Sequence, residues 1–366
     1  MHRHSSKWIL IYLLIFLGNT SGIHAIGRNT GQGQKPIKEG EDLTVLSTED
    51  KTQLKKTLRL KKLFGSSIWP GFGEAEIPLI QYNERYAFLI GHPSPSPPWA
   101  AIDSDSFQGN LYYSREVAES QAFAVLVGDL WAGSLDTIGH MNRSMKEQIQ
   151  EKIPPEKLTP AMFKMMEITP AYHIVALLHE AFHAFQATQE LDRFLQAQRM
   201  YAFEKLYPFE DEAFKSAWNK EGSSLISAVN EQDETARLES IERFLEIRVK
   251  RRSAASLSEN LIEFEHRLEW LEGMAKYVEM QFAEKGSSLQ GEAISKDYRI
   301  VWNRLQADFS YRIRKLGNQN GDLRFYLSGA AQAKILDKVS PGWKKNILGQ
   351  TNTALEDLLK IALKKE

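Results

Sequence analysis

From about residue 159 almost to the C-terminus, apolar residues recur at the three-and-four spacing of buried helix faces, and this pattern most limits the folds open to the chain. Thr169-Pro170 sets a capping hydroxyl before a proline suited to the first helical position, and the helix it opens runs to about Gln189. Helical stretches follow at about 211–230, 234–252, 257–285, 295–316 and 322–339, with Ser256 and Glu259 at capping-box spacing for the 257–285 helix. There is no internal repeat, heptad array or low-complexity tract.

Ahead of this tract the period changes. Glu76 to Tyr82 and Arg85 to Gly91 read as two strands around a tight turn at Asn83-Glu84. Pro93 to Pro98 reads as a loop, and Gln121 to Val127 as a further buried strand closed by Gly128-Asp129. Residues 42–63 have helical spacing through Leu43, Leu46, Leu54 and Leu58, with a basic end (Lys55, Lys56, Arg59, Lys61, Lys62) that reads as a solvated face. The expected architecture is α+β: an N-terminal α/β region over 42–158 with a small antiparallel sheet, then a mainly helical body over 159–366.

The first 25 residues have the layout of a secretory signal peptide: Arg3 and Lys7, then an apolar run from Trp8 to Leu17, then Ile23-His24-Ala25. That run falls short of the ~20 residues a membrane-spanning helix needs, so cleavage near Ala25 and no stable transmembrane span are expected. Residues 26–41, rich in Gly, Gln and Lys, read as a flexible leader. An exported chain of this size without cysteine suggests a bacterial periplasmic or extracellular setting. With 46 Lys+Arg against 47 Asp+Glu, there is no global electrostatic reason to expect nucleic acid as a partner. The missing cysteine also excludes thiol nucleophiles, iron–sulfur centres and thiolate zinc sites, so any metal must be held by His, Asp or Glu.

Within the first strong helix stands Leu178-His179-Glu180-Ala181-Phe182-His183-Ala184-Phe185, an H-E-x-x-H motif. Residues four apart on an α-helix lie ~40° apart on one face, so His179 and His183 can converge on one ion. Glu180 points beside that ion and can serve as general base on a bound water. Zn²⁺ suits two neutral imidazoles plus a carboxylate, with the fourth position left to water. Two histidines on a buried face can also be core residues satisfied by hydrogen bonds. A buried His-Glu-His cluster without a metal, however, would carry a large desolvation cost.

The best candidate for a third ligand is Glu272, on the 257–285 helix, where Gly273 and Ala275 would let that helix approach the first closely. Glu263, Glu265, Glu269 and Glu279 are nearby acids that compete with it. His140, His173 and His266 read as structural or surface residues, and Trp131, Trp270, Trp302 and Trp343 as core anchors. Arg312 and Arg314 are open to either a substrate carboxylate or surface acids.

His179-Glu180-x-x-His183 followed by Glu272-Gly273-x-Ala275-x-Tyr277 resembles the gluzincin zinc peptidases, especially the peptidase-MA-like group around aminopeptidase N. Tyr326-Leu327-Ser328-Gly329-Ala330 resembles the Y-x-x-G-A segment of the same enzymes. The resemblance spans residues 170–340 and implies a zincin-like fold, with Zn²⁺ on His179, His183 and Glu272. It also implies Glu180 as general base, and the Tyr326 hydroxyl stabilising the tetrahedral transition state. A G-x-M-E-N segment is absent upstream, so aminopeptidase action is not implied. The long gap from His183 to Glu272 implies inserted helices at about 190–255. In the family the strand before the active-site helix pairs its edge with an extended peptide, a role that falls here on Ala122 to Val127. The expected activity is that of an exported zinc metallohydrolase acting on peptide or protein substrates. The alternative is an exported non-catalytic binding or structural protein that retains the helix pair.

Overall fold

In a computed structural model, the description covers residues 42–364 apart from 118, 122, 155, 156, 291 and 349–352. The expected signal peptide and leader lie outside the described residues.

Ser47 caps α1 (Thr48–Ile68) by accepting from the Asp50 amide. Leu54, Leu60 and Ile68 are buried along one side, while Lys55, Lys56, Arg59 and Lys62 face solvent as expected. Lys61 departs from that reading. Its ammonium turns inward and donates to Ala75 O at 2.6 Å, and burial lowers its pKa to about 8 against the opposing pull of Glu74.

Six strands follow: β1 (Leu79–Tyr82), β2 (Tyr86–Ile90), β3 (Ala100–Ala101), β4 (Tyr113–Glu116), β5 (Phe123–Val127) and β6 (Leu130–Asp136). The β1–β2 hairpin forms where expected, its turn fixed by Asn83 Oδ1 accepting from the Arg85 and Tyr86 amides at 2.9 and 2.8 Å. The sheet order is β3-β4-β2-β1-β6-β5. The sheet is mixed rather than antiparallel, because β6 pairs parallel to β1 with Leu79 opposite Gly133 and Tyr82 opposite Asp136. Period-two patterning marks a strand but not the direction of its partner, and Leu130–Asp136, interrupted by Gly133 and Ser134, lacks a strand's apolar run. Gly128, at φ 62°, turns β5 back onto β6.

The helical body comprises α2 (Ile138–Lys152), α3 (Pro160–Met166), α4 (Pro170–Gln189) and α5 (Leu191–Met200), then a 3₁₀ turn (Tyr201–Leu206). Next come α6 (Glu212–Asn230), α7 (Glu234–Ala254), α8 (Glu259–Leu268), a π-turn (Glu269–Gly273), α9 (Met274–Ser287) and α10 (Glu292–Ile313). The chain ends with α11 (Leu323–Val339), α12 (Lys344–Ile347) and α13 (Leu355–Leu363). The α4 cap is the expected one, Thr169 Oγ accepting from the Tyr172 amide. Every residue from Ala171 to Ala187 is buried, so α4 is the central helix, covered by the sheet on one side and by other helices around it. Gly133 of β6 permits the contact with the sheet, since a β-carbon there would lie 2.6 Å from Ala181 Cα. Trp69, Phe72, Phe182 and Trp343 form edge-to-face contacts beside α4, with Trp69 and Phe182 centroids 5.0 Å apart.

The helix expected over 257–285 runs unbroken from Glu259 to Ser287, with a π-helical segment (Glu269–Gly273, the π-turn) between α8 and α9. Two further expectations change. The capping box at Ser256 and Glu259 does not form. Ser256 adopts φ 49° and closes α7 in a Schellman arrangement, with the Ser256 amide bonded to Ser253 O and the Leu257 amide to Arg252 O. Gly273 does make a close approach, but to α11: a β-carbon would lie 2.5 Å from Gly329 Cα. The glycine therefore serves the contact with the Tyr326-bearing helix rather than with α4.

His173 has the structural role expected, with Nε2 2.8 Å from Asp136 O and burial lowering its pKa to about 4. Arg312 is engaged by Asp308 at 2.6 Å. Among the described residues no helix is long and apolar enough to cross a membrane.

Candidate metal centre

His179 and His183 project from mid-α4, and Glu272 faces them from the π-turn, all three side chains about 1% exposed. Their ligand atoms lie within 4.8 Å of one another, a grouping that could hold a metal ion. The separations are 3.1 Å between the two Nε2 atoms, 3.3 Å from His183 Nε2 to Glu272 Oε2 and 3.8 Å from His179 Nε2 to the same oxygen. Ligands at ~2.0–2.1 Å around a tetrahedral zinc ion stand about 3.3 Å apart, so this triangle has the size of three corners of such a shell.

The hydrogen bonds behind the imidazoles fix what they present to the centre. Gln186 Nε2 donates to Trp270 O and Leu271 O at 2.9 and 3.2 Å, so its Oε1 is the atom turned to His183 Nδ1 at 2.9 Å, and that nitrogen must carry the proton. His179 Nδ1 stands 3.2 Å from Glu279 Oε2, and Lys276 Nζ lies 2.7 Å from the other Glu279 oxygen. That ammonium, with His179, holds the Glu279 carboxyl below its ordinary pKa against the effect of burial. Glu279 is thus an ionised acceptor, and His179 Nδ1 is also a donor. Both Nε2 lone pairs therefore point at each other and at a carboxylate oxygen. Three electron-rich atoms converging in a buried space repel unless a cation or proton sits among them, which is the arrangement that orients metal-ligating histidines. Without a cation a proton takes that place. Burial opposes charge on His179, but Glu272 and Glu279 outweigh it and raise the pKa to about 9, whereas at His183 burial prevails over Glu272 and lowers it.

Glu180 follows His179 and is equally buried, close enough to exert an electrostatic pull on both His179 and Tyr326. Tyr326, in the first turn of α11, lays its ring nearly parallel to the His179 imidazole, with centroids 6.0 Å apart and planes at 18°. Burial first, then Glu272 and Asp322, raise its hydroxyl well above the ordinary tyrosine value. The structure thus brings together all five residues singled out from the sequence.

Four more were not singled out as site residues. Gln186 lies three positions after His183 and Glu279 seven after Glu272, spacings that put each on the ligand's own helix face; that signal was available. Tyr201 and Asp322 had none. Tyr201 Oη donates to Glu272 Oε1 at 2.7 Å and lies 3.1 Å from Asp322 Oδ2, joining two segments far apart in sequence.

The centre is enclosed. Phe123, at the start of edge strand β5, brings its ring to 4.4 Å from His183 and stacks on Phe194 of α5 at 5.6 Å. Phe123 holds φ 148°, a conformation strained for a residue with a β-carbon. The segment expected to offer an edge to a peptide therefore does lie at the sheet edge beside the site, with Leu126 52% exposed; Ala122 is outside the described residues.

No family model matches this chain, and neither the curated proteins nor the solved structures contain a match to it.

Proposed function

We propose that the chain is a gluzincin-type zinc hydrolase acting on peptide bonds, in the secreted or periplasmic setting suggested by residues 1–25. The observation that carries this reading is the convergence of two imidazole lone pairs and a carboxylate oxygen at ligand spacing, with Glu180 beside them. A zinc ion held there would supply Lewis acidity to a substrate carbonyl and acidify water. Glu180 takes the proton from the attacking water and returns it to the leaving amine nitrogen as the C–N bond breaks. Tyr326 keeps its hydroxyl proton, because burial and Glu272 disfavour the phenolate, and donates it as a hydrogen bond to the developing oxyanion. Glu279 and Gln186 hold the two imidazoles in the tautomer that binding requires.

Glu180→Gln tests the proton step: it should leave zinc content unchanged and lower turnover of a cleaved peptide by at least ~100-fold. Retained turnover would sink the mechanism.

One observation favours a second reading, an exported binding or structural protein: the ligands are almost fully buried, so a peptide must displace Phe123 or the α5–3₁₀ segment to reach them. Digestion of a peptide library by the zinc-loaded chain separates the two. Reproducible cleavage supports the enzyme, and zinc without cleavage supports the binding protein.

A further inference from the structure

We infer that Tyr201, on the 3₁₀ turn after α5, is a positioning residue that holds Glu272 as a one-oxygen metal ligand. The inference rests on the metal reading above and goes beyond it, because it gives a role to the chain between His183 and Glu272 that the H-E-x-x-H and E-G-x-A segments do not contain.

A carboxylate can offer an ion one oxygen or two, and what occupies the second oxygen decides which. Glu272 Oε2 faces the two imidazoles at 3.3 and 3.8 Å, whereas Oε1 accepts from Tyr201 Oη at 2.7 Å. Tyr201 has a single hydroxyl proton and two acidic neighbours. The shorter contact goes to Glu272 and the longer, 3.1 Å, to Asp322. A bond to an ionised carboxylate is among the stronger ones a neutral donor makes, and it must be given up before Oε1 can swing to the ion. Tyr201 thus favours four-coordination with the last position left for water. Asp322, at the start of α11, is the second acceptor within reach of the same hydroxyl, so the proton is shared out between the π-helical segment and the helix that carries Tyr326, with the shorter contact to Glu272.

Cobalt(II) is the probe, because its visible absorption is intense when four-coordinate and weak at higher coordination. The wild-type full chain should bind one cobalt with the intense four-coordinate band. Y201F should bind it 10- to 100-fold more weakly, the usual effect of removing an outer-shell partner, and show a weakened band as the second Glu272 oxygen enters. A merely structural role for Tyr201 would change stability without changing the spectrum per bound ion. An unchanged spectrum and affinity in Y201F would overturn the inference while leaving the metal site standing, whereas wild type that binds neither cobalt nor zinc would overturn both. Should Y201F fail to fold, a crystal structure of the zinc-loaded wild type decides: one Glu272 oxygen within bonding distance is expected, and two would refute the inference.

Discussion

Two buried ionic clusters share one π-helical segment, and they differ in which cations answer their carboxylates. In the first, Arg248, Arg251 and Arg252 of α7 meet Glu221 of α6, Glu265 of α8, Glu269 of the π-turn and Glu356 of α13. Arg248 alone reaches Glu269 at 2.6 Å and Glu221 and Glu356 at 3.0 Å. His266 lies 3.3 Å from Glu356; burial opposes its charge, but Glu263 and Glu356 raise its pKa to about 9. The guanidiniums and the imidazolium thus answer these buried carboxylates from within the chain, with Lys360 also 2.9 Å from Glu356. In the second, Glu180, Glu272, Glu279 and Asp322 surround two imidazoles, Lys276 pairs with Glu279 at 2.7 Å, and in the metal-free chain a proton on His179, whose pKa, against burial, Glu272 and Glu279 raise to about 9, stands where an ion could sit. A cation at that place, proton or metal ion, offsets the cost of burying these carboxylates. The framework cluster is also the mount for the other: Glu269 and Glu272 lie on the same turn, and Ser328, two residues after Tyr326, donates to Glu269 at 2.5 Å.

This contrast is open to attack from both sides. The largest effect should come from Arg248→Ala, which leaves three carboxylates buried around a void. A loss of about 3–5 kcal/mol in urea unfolding is expected, whether or not metal is present. A loss below 1 kcal/mol would mean that the framework cluster is not holding the helices together.

The next effect is one of pH. A group whose pKa is raised on folding contributes stability that is complete below its unfolded value and is lost as pH rises through the folded one. For His266 that window runs from about 6.5 to about 9, with an upper bound of about 3 kcal/mol. His179 titrates over the same range in the metal-free chain, so the comparison is His266→Gln against wild type, both zinc-loaded, at pH 6 and pH 9.5. The wild type should lose its advantage at the higher pH, and an equal gap at both would refute the assignment.

Gly273→Ala forces a β-carbon onto Gly329 and should cost about 1–3 kcal/mol by overpacking, with weakened zinc binding because the π-turn carries Glu272. If stability falls while zinc affinity stays the same, the turn is not what positions the ligand. A comparable effect, on binding rather than on stability, is expected of Glu279→Gln, which keeps the shape but removes the ionised acceptor behind His179. Zinc affinity should fall 10- to 100-fold by calorimetry, about 1.4–2.7 kcal/mol, with the H-E-x-x-H helix intact.

What could be read from the sequence follows from which signals are local. His179, Glu180 and His183 lie within five residues on one helix, so their spacing alone places them together. Glu272 stood among Glu263, Glu265, Glu269 and Glu279, and composition could not rank them. The structure distributes these acids, Glu265 and Glu269 to the arginines, Glu263 to Arg267 and His266, and Glu279 to the back of His179. The parallel β1–β6 pair, the inward turn of Lys61 and the reach of Tyr201 are long-range facts with no local mark. The Ser256 misreading has a physical cause as well: serine is suited to start a helix, but here the preceding helix claimed it for its own termination.

Zinc titration of the metal-free chain by calorimetry at neutral pH tests most directly the proposal that a divalent ion takes the place between His179, His183 and Glu272. One zinc per chain is predicted, with about one proton released as the ion replaces the proton shared by His179 and His183, and with binding lost in His183→Ala. A folded chain that takes up no stoichiometric zinc, or takes it up equally well without His183, would contradict the account.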